Sequence, residues 1–171
     1  MHIHKYEKLW LGLGLLLIVG FIATITYGAV GAGVTMVDES GDTVDPNNLQ
    51  NHSEFGPQER GVDQVGPNEY DVHVVAQQFA FMPGTVEPIT VPANSTVNFY
   101  VTSADVIHGF SVVGTNANTM VIPGEVAEIT VETGEPGEYG IVCHEYCGQA
   151  HHDMAGTMEV VPQDQYNGSE Q

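Results

Sequence analysis

An uninterrupted apolar stretch near the N-terminus constrains the fold of this chain more than any other feature. No charged residue stands between Lys8 and Asp38, and residues 9–34 are mostly Leu, Ile, Val, Gly and Ala. A helix needs about 20 such residues to cross the hydrocarbon core of a membrane. The stretch therefore predicts a single transmembrane helix, which anchors the chain within residues 1–35.

The charges on the two sides of this stretch indicate its orientation. Lys5 and Lys8 precede it, whereas Asp38 and Glu39 follow it. By the positive-inside rule, we expect the N-terminus in the cytoplasm and everything after the helix outside. The alternative is a cleaved signal peptide, processed within residues 28–32. The apolar run is longer than the ~7–15 residues of a signal core, which favours the membrane anchor.

Acidic residues dominate the rest of the chain. The whole sequence has 22 acidic and 3 basic side chains, a net charge of -19, and Arg60 is the only basic residue beyond Met36. Such a chain is not expected to bind nucleic acid or an anionic membrane surface. Because 42% of the residues are hydrophobic, we expect a folded core rather than disorder. The charge suggests a surface adapted to high salt, typical of a halophilic microbe, or a docking field for a basic partner.

Two regions follow the apolar stretch. Residues 36–68 are acidic and rich in Asn, Gly and Pro, which predicts a linker that packs loosely. From Tyr70 onward, short runs of Val, Ile, Thr and aromatic residues alternate with Gly, Pro and Asn. The predicted strands cover residues 70–77, 85–91, 96–102, 107–113, 127–132, 139–143 and 156–161. This pattern predicts an all-β domain over residues 69–162, an antiparallel sandwich or Greek-key barrel, followed by a frayed polar tail over residues 163–171.

One loop near the C-terminus gathers most of the chemistry-bearing residues. Residues 143–154 contain both cysteines of the chain, three of its eight histidines and a methionine. Thiolate, imidazole and thioether are ligands that favour copper. A blue single-copper site needs only one cysteine, so the second thiolate indicates a two-copper centre. The expected ligands are His108, Cys143, the backbone carbonyl of Glu145, Cys147, His151 and Met154.

Simpler interpretations compete with the copper site. Two cysteines in an extracytoplasmic domain commonly form a disulfide, although the ring closed here would be short and of little entropic benefit. A zinc site is also conceivable, but zinc rarely recruits methionine. His144 and His152 lie beside the expected ligands and could replace them only in a shifted register. His73 alternates with valines, which predicts a position on the outer face of a strand.

The loop and an upstream motif together resemble a known family. Cys143, Cys147, His151 and Met154 match the pattern Cys-x3-Cys-x3-His-x2-Met, and His108 lies in the run Val-Ile-His-Gly-Phe. These features resemble subunit II of the cytochrome c oxidases, whose dinuclear copper centre is called CuA. The single helix and the short chain are similar to the small b-type oxidases of thermophiles and archaea.

The resemblance implies a cupredoxin-like fold and a role in respiration. It implies that the chain accepts electrons outside the membrane from a cytochrome c or a small blue-copper protein. Haem in a separate subunit I would receive the electrons and reduce dioxygen to water, with proton pumping. The chain would thus be a subunit of an oxidoreductase that carries electron transfer but not the oxygen chemistry.

Two positions extend or limit the resemblance. Where many family members have a tryptophan-rich segment for electron entry, this chain has Gln-Gln-Phe-Ala-Phe, so Phe79 and Phe81 become the entry candidates. Glu145 matches the larger oxidases, in which the corresponding carboxylate holds a magnesium ion at the subunit interface. The resemblance therefore implies a divalent ion at Glu145.

Other functions remain open on the sequence. A membrane-tethered copper-delivery or thiol-redox protein would use Cys143 and Cys147 reversibly and bind one copper. A structural domain with a disulfide would bind none. A CuA domain of another reductase, such as nitrous oxide reductase, fits the anchor and the small size less well.

Overall fold

The computed structural model describes residues 4–28 and 42–168, which belong to two separate compact units. The first is helix α1, Lys5–Thr26, none of whose residues is buried. His4 caps it: Glu7 accepts a hydrogen bond from the His4 backbone N–H (2.8 Å), and His4 Nδ1 accepts one from Tyr6 N–H. The 22 residues span about 33 Å, enough to cross a membrane. The predicted anchor helix is present, and most of the alternative processing site lies outside the described residues.

The second unit is built from ten short strands. They are β1 Val62–Gly66, β2 Glu69–Gln77, β3 Ala80–Met82, β4 Ile89–Pro92, β5 Thr96–Ser103, β6 His108–Val112, β7 Asn118–Val121, β8 Ala127–Glu132, β9 Gly137–Val142 and β10 Ala155–Val161. The first sheet has the order β1-β2-β5-β8, with β3 on the same edge of β2 as β1; the second has the order β4-β10-β9-β6-β7. The predicted β-sandwich is thus correct, but β2 pairs with β5, and β4 with β10, in parallel.

The two sheets bury their facing residues in one core. In β2, alternate residues from Tyr70 to Ala76 are buried, as expected for a strand with one face on a core. Phe110 of β6 meets Phe81 of β3 at a ring distance of 5.5 Å and Phe99 of β5 at 5.3 Å. Burying each such ring contributes about 1.5–3 kcal/mol. The aromatic contacts therefore join the sheets across the sandwich.

The prediction of a loosely packed linker is wrong for the described part of residues 36–68. Val44, Leu49 and Phe55 are buried and form a second apolar cluster with Val75 and Val126. We call residues 42–60 the cover segment, because they pack on the outer face of the first sheet. Its polar composition hid the three apolar residues, which are too widely spaced to form a strand or helix pattern. β1 continues from this segment and pairs with β2.

Two further expectations are corrected by packing on the outer surfaces. His73 does lie on the outer face of β2, but the cover segment lies over it: its ring meets Phe55 edge-on at 5.4 Å and stacks on Tyr100 at 5.1 Å. The tail is not frayed over residues 163–168, because Tyr166 packs against Tyr70 at 5.3 Å.

Most predicted strands are found within one or two residues of their expected bounds, with one larger error. The strand predicted over 85–91 begins only at Ile89, because residues 84–87 form a turn in which Gly84 N–H donates to the Glu87 carbonyl (2.8 Å). Strands β1, β3 and β7 were not predicted. β3 and β7 have three and four residues, too few to show an alternating pattern.

Candidate metal centre

Two segments meet at one end of the sandwich, which we call the metal end. The first is the start of β6, which carries His108. The second is the loop between β9 and β10, residues 143–154. The loop closes on itself because Val142 pairs with Ala155, and because Cys143 N–H donates to the Met154 carbonyl (3.2 Å). Pairing of β6 with β9 then brings the two segments together.

The side chains expected to bind metal lie in a chain of contacts. Cys143 Sγ is 3.8 Å from Cys147 Sγ and 3.9 Å from His108 Nδ1. Cys147 Sγ is 3.6 Å from both His151 Nδ1 and Met154 Sδ. The structure thus gathers all five side chains around the two sulfurs. Ligand atoms of His108, Cys143 and Cys147 lie within 4.8 Å of one another, a group that could hold a metal ion.

The thiols are free in this structure. A disulfide has a sulfur–sulfur distance of about 2.05 Å, far shorter than the 3.8 Å between Cys143 and Cys147. Burial, together with the neighbouring thiol of Cys143, raises the pKa of Cys147 to about 11. Metal ions bind the thiolate, so metal binding must displace a proton from this thiol.

The loop directs one backbone carbonyl toward the sulfurs as well. The Glu145 carbonyl oxygen, which is predicted as a backbone ligand, lies 3.2 Å from Cys143 Sγ. On the other side, Gly109 N–H points to Cys143 Sγ at 3.5 Å. The short 3-10 helix His151–Asp153 then turns the chain so that buried Met154 faces Cys147. The Glu145 carboxylate is not part of the group that could hold metal.

Asp105 orients His108, a role that the sequence analysis missed. Asp105 Oδ1 lies 2.8 Å from His108 Nε2, which leaves Nδ1 facing Cys143. Burial alone would raise the pKa of Asp105, but hydrogen bonds from the Gln78 and Val106 amides and from His108 lower it below its usual value. A carboxylate on the outer nitrogen fixes the ring and its tautomer, as in many metal sites. A carboxylate three residues before the histidine was the available signal.

The electron-entry candidates have different environments. Phe81 is only 1% exposed and lies in the core against Phe110, so its prediction as an entry residue is wrong. Its alternation within β3 points it inward. Phe79 is partly buried, and its ring lies next to Gly148, in the loop between β9 and β10. Tyr146, which the analysis did not consider, is 75% exposed and lies 5.9 Å from the His151 ring.

The two histidines beside the ligands are exposed. The His144 ring is exposed and packs over the backbone of Gly109 on the outer side of β6. His152 is exposed and lies 3.2 Å from Asp153. Neither side chain forms a hydrogen bond with Cys143 Sγ or Cys147 Sγ.

This chain is similar to known proteins in sequence and in structure. Residues 70–161 match the family model described as cytochrome C oxidase subunit II, periplasmic domain. Cytochrome c oxidase subunit 2 of Thermus thermophilus is 41% identical over 157 residues, which cover 91% of each chain.

Solved structures give the same result. A chain from the cryo-EM structure of a haem–copper terminal oxidase dimer matches with a TM-score of 0.73 and 32% identity, covering 92% of this chain and all of that one. The periplasmic domain of subunit II of cytochrome oxidase from Bradyrhizobium japonicum has a TM-score of 0.51 at 22% identity, covering 55% of this chain and 85% of that one. The second likeness supports the cupredoxin-like fold.

Proposed function

The chain belongs to the cytochrome c oxidase subunit II family and is the CuA-type, electron-accepting subunit of a haem–copper oxidase, and from that premise we propose that its metal end holds two copper ions. One observation carries the proposal. Two buried thiols 3.8 Å apart each have an imidazole nitrogen beside them, His108 at Cys143 and His151 at Cys147. Two sulfurs flanked by two imidazoles form a donor set with two equivalent halves.

The proposed ligands are the six predicted from the sequence. They are His108, Cys143, the Glu145 carbonyl, Cys147, His151 and Met154. When bound, the copper pair supplies a one-electron store that exchanges electrons with a donor and with haem in subunit I. The chain's own residues keep this store rigid and dry: the ligands His108, Cys143 and Cys147 are buried, and paired strands hold both segments. Soft sulfur ligands and imidazoles fit copper in both oxidation states.

Copper content and the EPR spectrum of the full chain, purified in detergent and loaded with copper, test the proposal. We expect two coppers per chain and hyperfine structure from one electron shared equally by two nuclei. A single localised copper would contradict the proposal and favour a copper-delivery protein. A copper-free chain with a disulfide between Cys143 and Cys147 would favour a structural domain.

The electron donor is proposed to bind at the metal end by apolar contact. Val106 and Ile107, directly before His108, and Tyr146, beside His151, are exposed. They lie on an otherwise strongly acidic chain, where charge steering of a donor is screened by salt. A cytochrome c or a small blue-copper protein could meet this surface. The rate of electron transfer from such a donor should change little between low and molar salt; a steep decline would indicate charge-based docking instead.

The single apolar helix and the family make the chain a single-pass membrane protein. We propose that Lys5 and Lys8 lie in the cytoplasm and that the β domain lies outside. A cysteine placed at Gln64, in a variant with Cys143 and Cys147 replaced by serine, should react in intact cells with a reagent that cannot cross the membrane. Labelling only after lysis would show that the β domain lies in the cytoplasm, the opposite of the proposed orientation.

The proposed divalent ion at Glu145 needs ligands from a second subunit, because no further carboxylate of the described residues joins Glu145 in a metal group. We expect Glu145→Gln to lower the magnesium or manganese bound by the assembled oxidase. An unchanged content of both metals would exclude the ion at this position.

A further inference from the structure

Gln78 lies in the turn between β2 and β3, which supplies no ligand, but it contacts both Asp105, beside His108, and the loop of residues 143–154. Its backbone N–H donates to Asp105 Oδ2 at 2.8 Å. The other oxygen of the same carboxylate lies 2.8 Å from His108 Nε2. The backbone of Gln78 therefore acts on the imidazole through one intermediate side chain.

The side chain of Gln78 reaches the other segment. Its amide Nε2 donates a hydrogen bond to the backbone carbonyl of Cys147. A carbonyl oxygen can only accept, so the amide nitrogen is the group that must face it. Cys147 is the residue whose sulfur contacts Cys143, His151 and Met154. Gln78 thus connects Asp105, which holds His108, with the loop of residues 143–154.

The residue after Cys147 makes room for this contact. Gly148 has a φ of +137°, a conformation that favours glycine. A Cβ atom there would lie 2.7 Å from Gln78 Nε2 and 3.1 Å from the Phe79 ring. A larger residue would therefore crowd the Gln78 amide and the Phe79 ring. The sequence of the loop and the position of Gln78 are therefore matched to each other.

We propose that Gln78 is a positioning residue for the copper centre. It sets the distance between His108, at the start of β6, and the loop of residues 143–154. The inference rests on the proposed two-copper site. Without the amide, one of the contacts that hold the loop of residues 143–154 in place is lost, and the loop gains freedom to move when the oxidation state changes. Gln78 is exposed, so its removal leaves the hydrophobic core intact.

The test compares Gln78→Met with Gln77→Met in the full chain, purified in detergent and loaded with copper. Methionine keeps the length of the side chain but cannot donate to the Cys147 carbonyl. Gln77 is the matched control: it is an exposed glutamine one position earlier, and its side chain forms no hydrogen bond with residues 105–108 or 143–154. Substitution of a residue that orients a metal ligand typically lowers metal affinity 10–100-fold. We expect copper release to a chelator to accelerate by about tenfold or more in Gln78→Met, with altered copper hyperfine splitting, and neither change in Gln77→Met.

A second pair of variants separates hydrogen bonding from packing. Gln78→Glu keeps the shape of the side chain but places an acceptor against an acceptor, and Gln77→Glu adds the same charge nearby. Positioning by hydrogen bonding requires Gln78→Glu to release copper at least as fast as Gln78→Met. A Gln78→Glu chain that retains copper like the wild type would overturn the proposal.

Gly148→Ala gives a further approach, because its Cβ would crowd Gln78 Nε2 and it also strains the loop backbone at a φ of +137°. We expect it to reproduce the altered hyperfine splitting of Gln78→Met. If the wild-type chain binds two coppers and all Gln78 variants behave like their Gln77 controls, this inference alone fails. If the wild-type chain does not bind two coppers, the proposed function itself fails.

Discussion

The metal end and the cover segment are both irregular chain held on the same sandwich, but different forces hold them. At the metal end, polar contacts organise the residues: Asp105 holds His108, and backbone groups surround the cysteine loop. On the cover segment, apolar side chains such as Phe55 are buried against the outer face of the first sheet. The comparison suggests that substitutions at the metal end alter copper binding at nearly constant stability. Substitutions in the cover segment should lower stability and leave copper binding nearly unchanged.

The largest effect is expected from the sulfurs. Cys147→Ser removes the atom that contacts Cys143, His151 and Met154. We expect the two-copper EPR and optical spectra to disappear, because serine offers no soft ligand. Urea unfolding of the copper-free chain should change little, since serine is similar in size to cysteine. Cys143→Ser should behave in the same way, and a native spectrum in either variant would contradict the assignment.

Phe55→Ala should produce the opposite result. Phe55 belongs to the cover segment, is 1% exposed and lies against His73. Replacing a buried phenylalanine by alanine costs about 3–5 kcal/mol. We expect a loss of this size in the free energy of unfolding, with the copper spectrum of the folded chain unchanged. Val86→Ala, at a residue 90% exposed, is the control and should be neutral. A changed copper spectrum in Phe55→Ala would mean that the two regions are coupled.

Asp105→Asn should affect copper without unfolding the chain. The carboxylate uses one oxygen for Gln78 N–H and the other for His108, whereas an amide offers a single acceptor oxygen. We expect copper affinity to fall by about 10–100-fold, measured by competition with a chelator. Asp164→Asn removes the same charge from an exposed turn and should leave affinity unchanged. Equal affinities in the two variants would show that Asp105 does not orient His108.

Met154→Leu should give a smaller and more specific change at the metal end. Leucine fills nearly the same buried volume, so stability should fall by less than about 1.5 kcal/mol. Copper should remain bound, and the reduction potential should rise because a weak axial donor is lost. Spectroelectrochemical titration measures the potential. An unchanged potential would show that the Met154 thioether does not bind copper.

The smallest expected effect is a pH dependence of stability that arises from Tyr100, which packs against the apolar cluster of the cover segment. Burial, followed by the charges of Asp71 and Glu128, raises the pKa of Tyr100 from 10.0 to about 12. The unfolded chain therefore loses this proton first, so the associated stability is present below pH 10 and is lost as the pH approaches 12. Urea unfolding of the copper-free chain should show a shallower alkaline decline in Tyr100→Phe than in the wild type. Identical slopes would exclude a contribution from Tyr100.

Local spacing made most of the ligand set predictable. Five of the six expected ligands lie within residues 143–154, and only the strand pairing of β6 with β9 was needed to add His108. The contacts of Asp105 and Gln78 could not be found in the same way. Gln78 is 69 positions from Cys147, and its contact depends on the shape of a turn that the sequence pattern did not specify. Hydrogen bonds between turns depend on backbone geometry more than on residue type.

The strands, too, were predictable only where the local sequence pattern was clear. Strands with clear alternation, such as β2 and β5, were found, whereas the cover segment was missed because Val44, Leu49 and Phe55 are separated by polar residues. Phe81 was misplaced for a related reason: the pattern marks it as aromatic but does not show that β3 points it into the core. Adaptation to high salt remains a prediction from the acidic composition.

The sequence separation of the ligands affects the timing of biosynthesis. His108 precedes Cys143 by 35 residues, and the two meet only when β9 has paired with β6. A ribosome makes the chain from the N-terminus, so the histidine waits for the residues that complete its site. A product truncated before Met154 would carry an incomplete set of ligands, however well its earlier strands had formed. We therefore expect stable binding of the proposed copper pair to be a late step, one that distinguishes finished subunits from fragments.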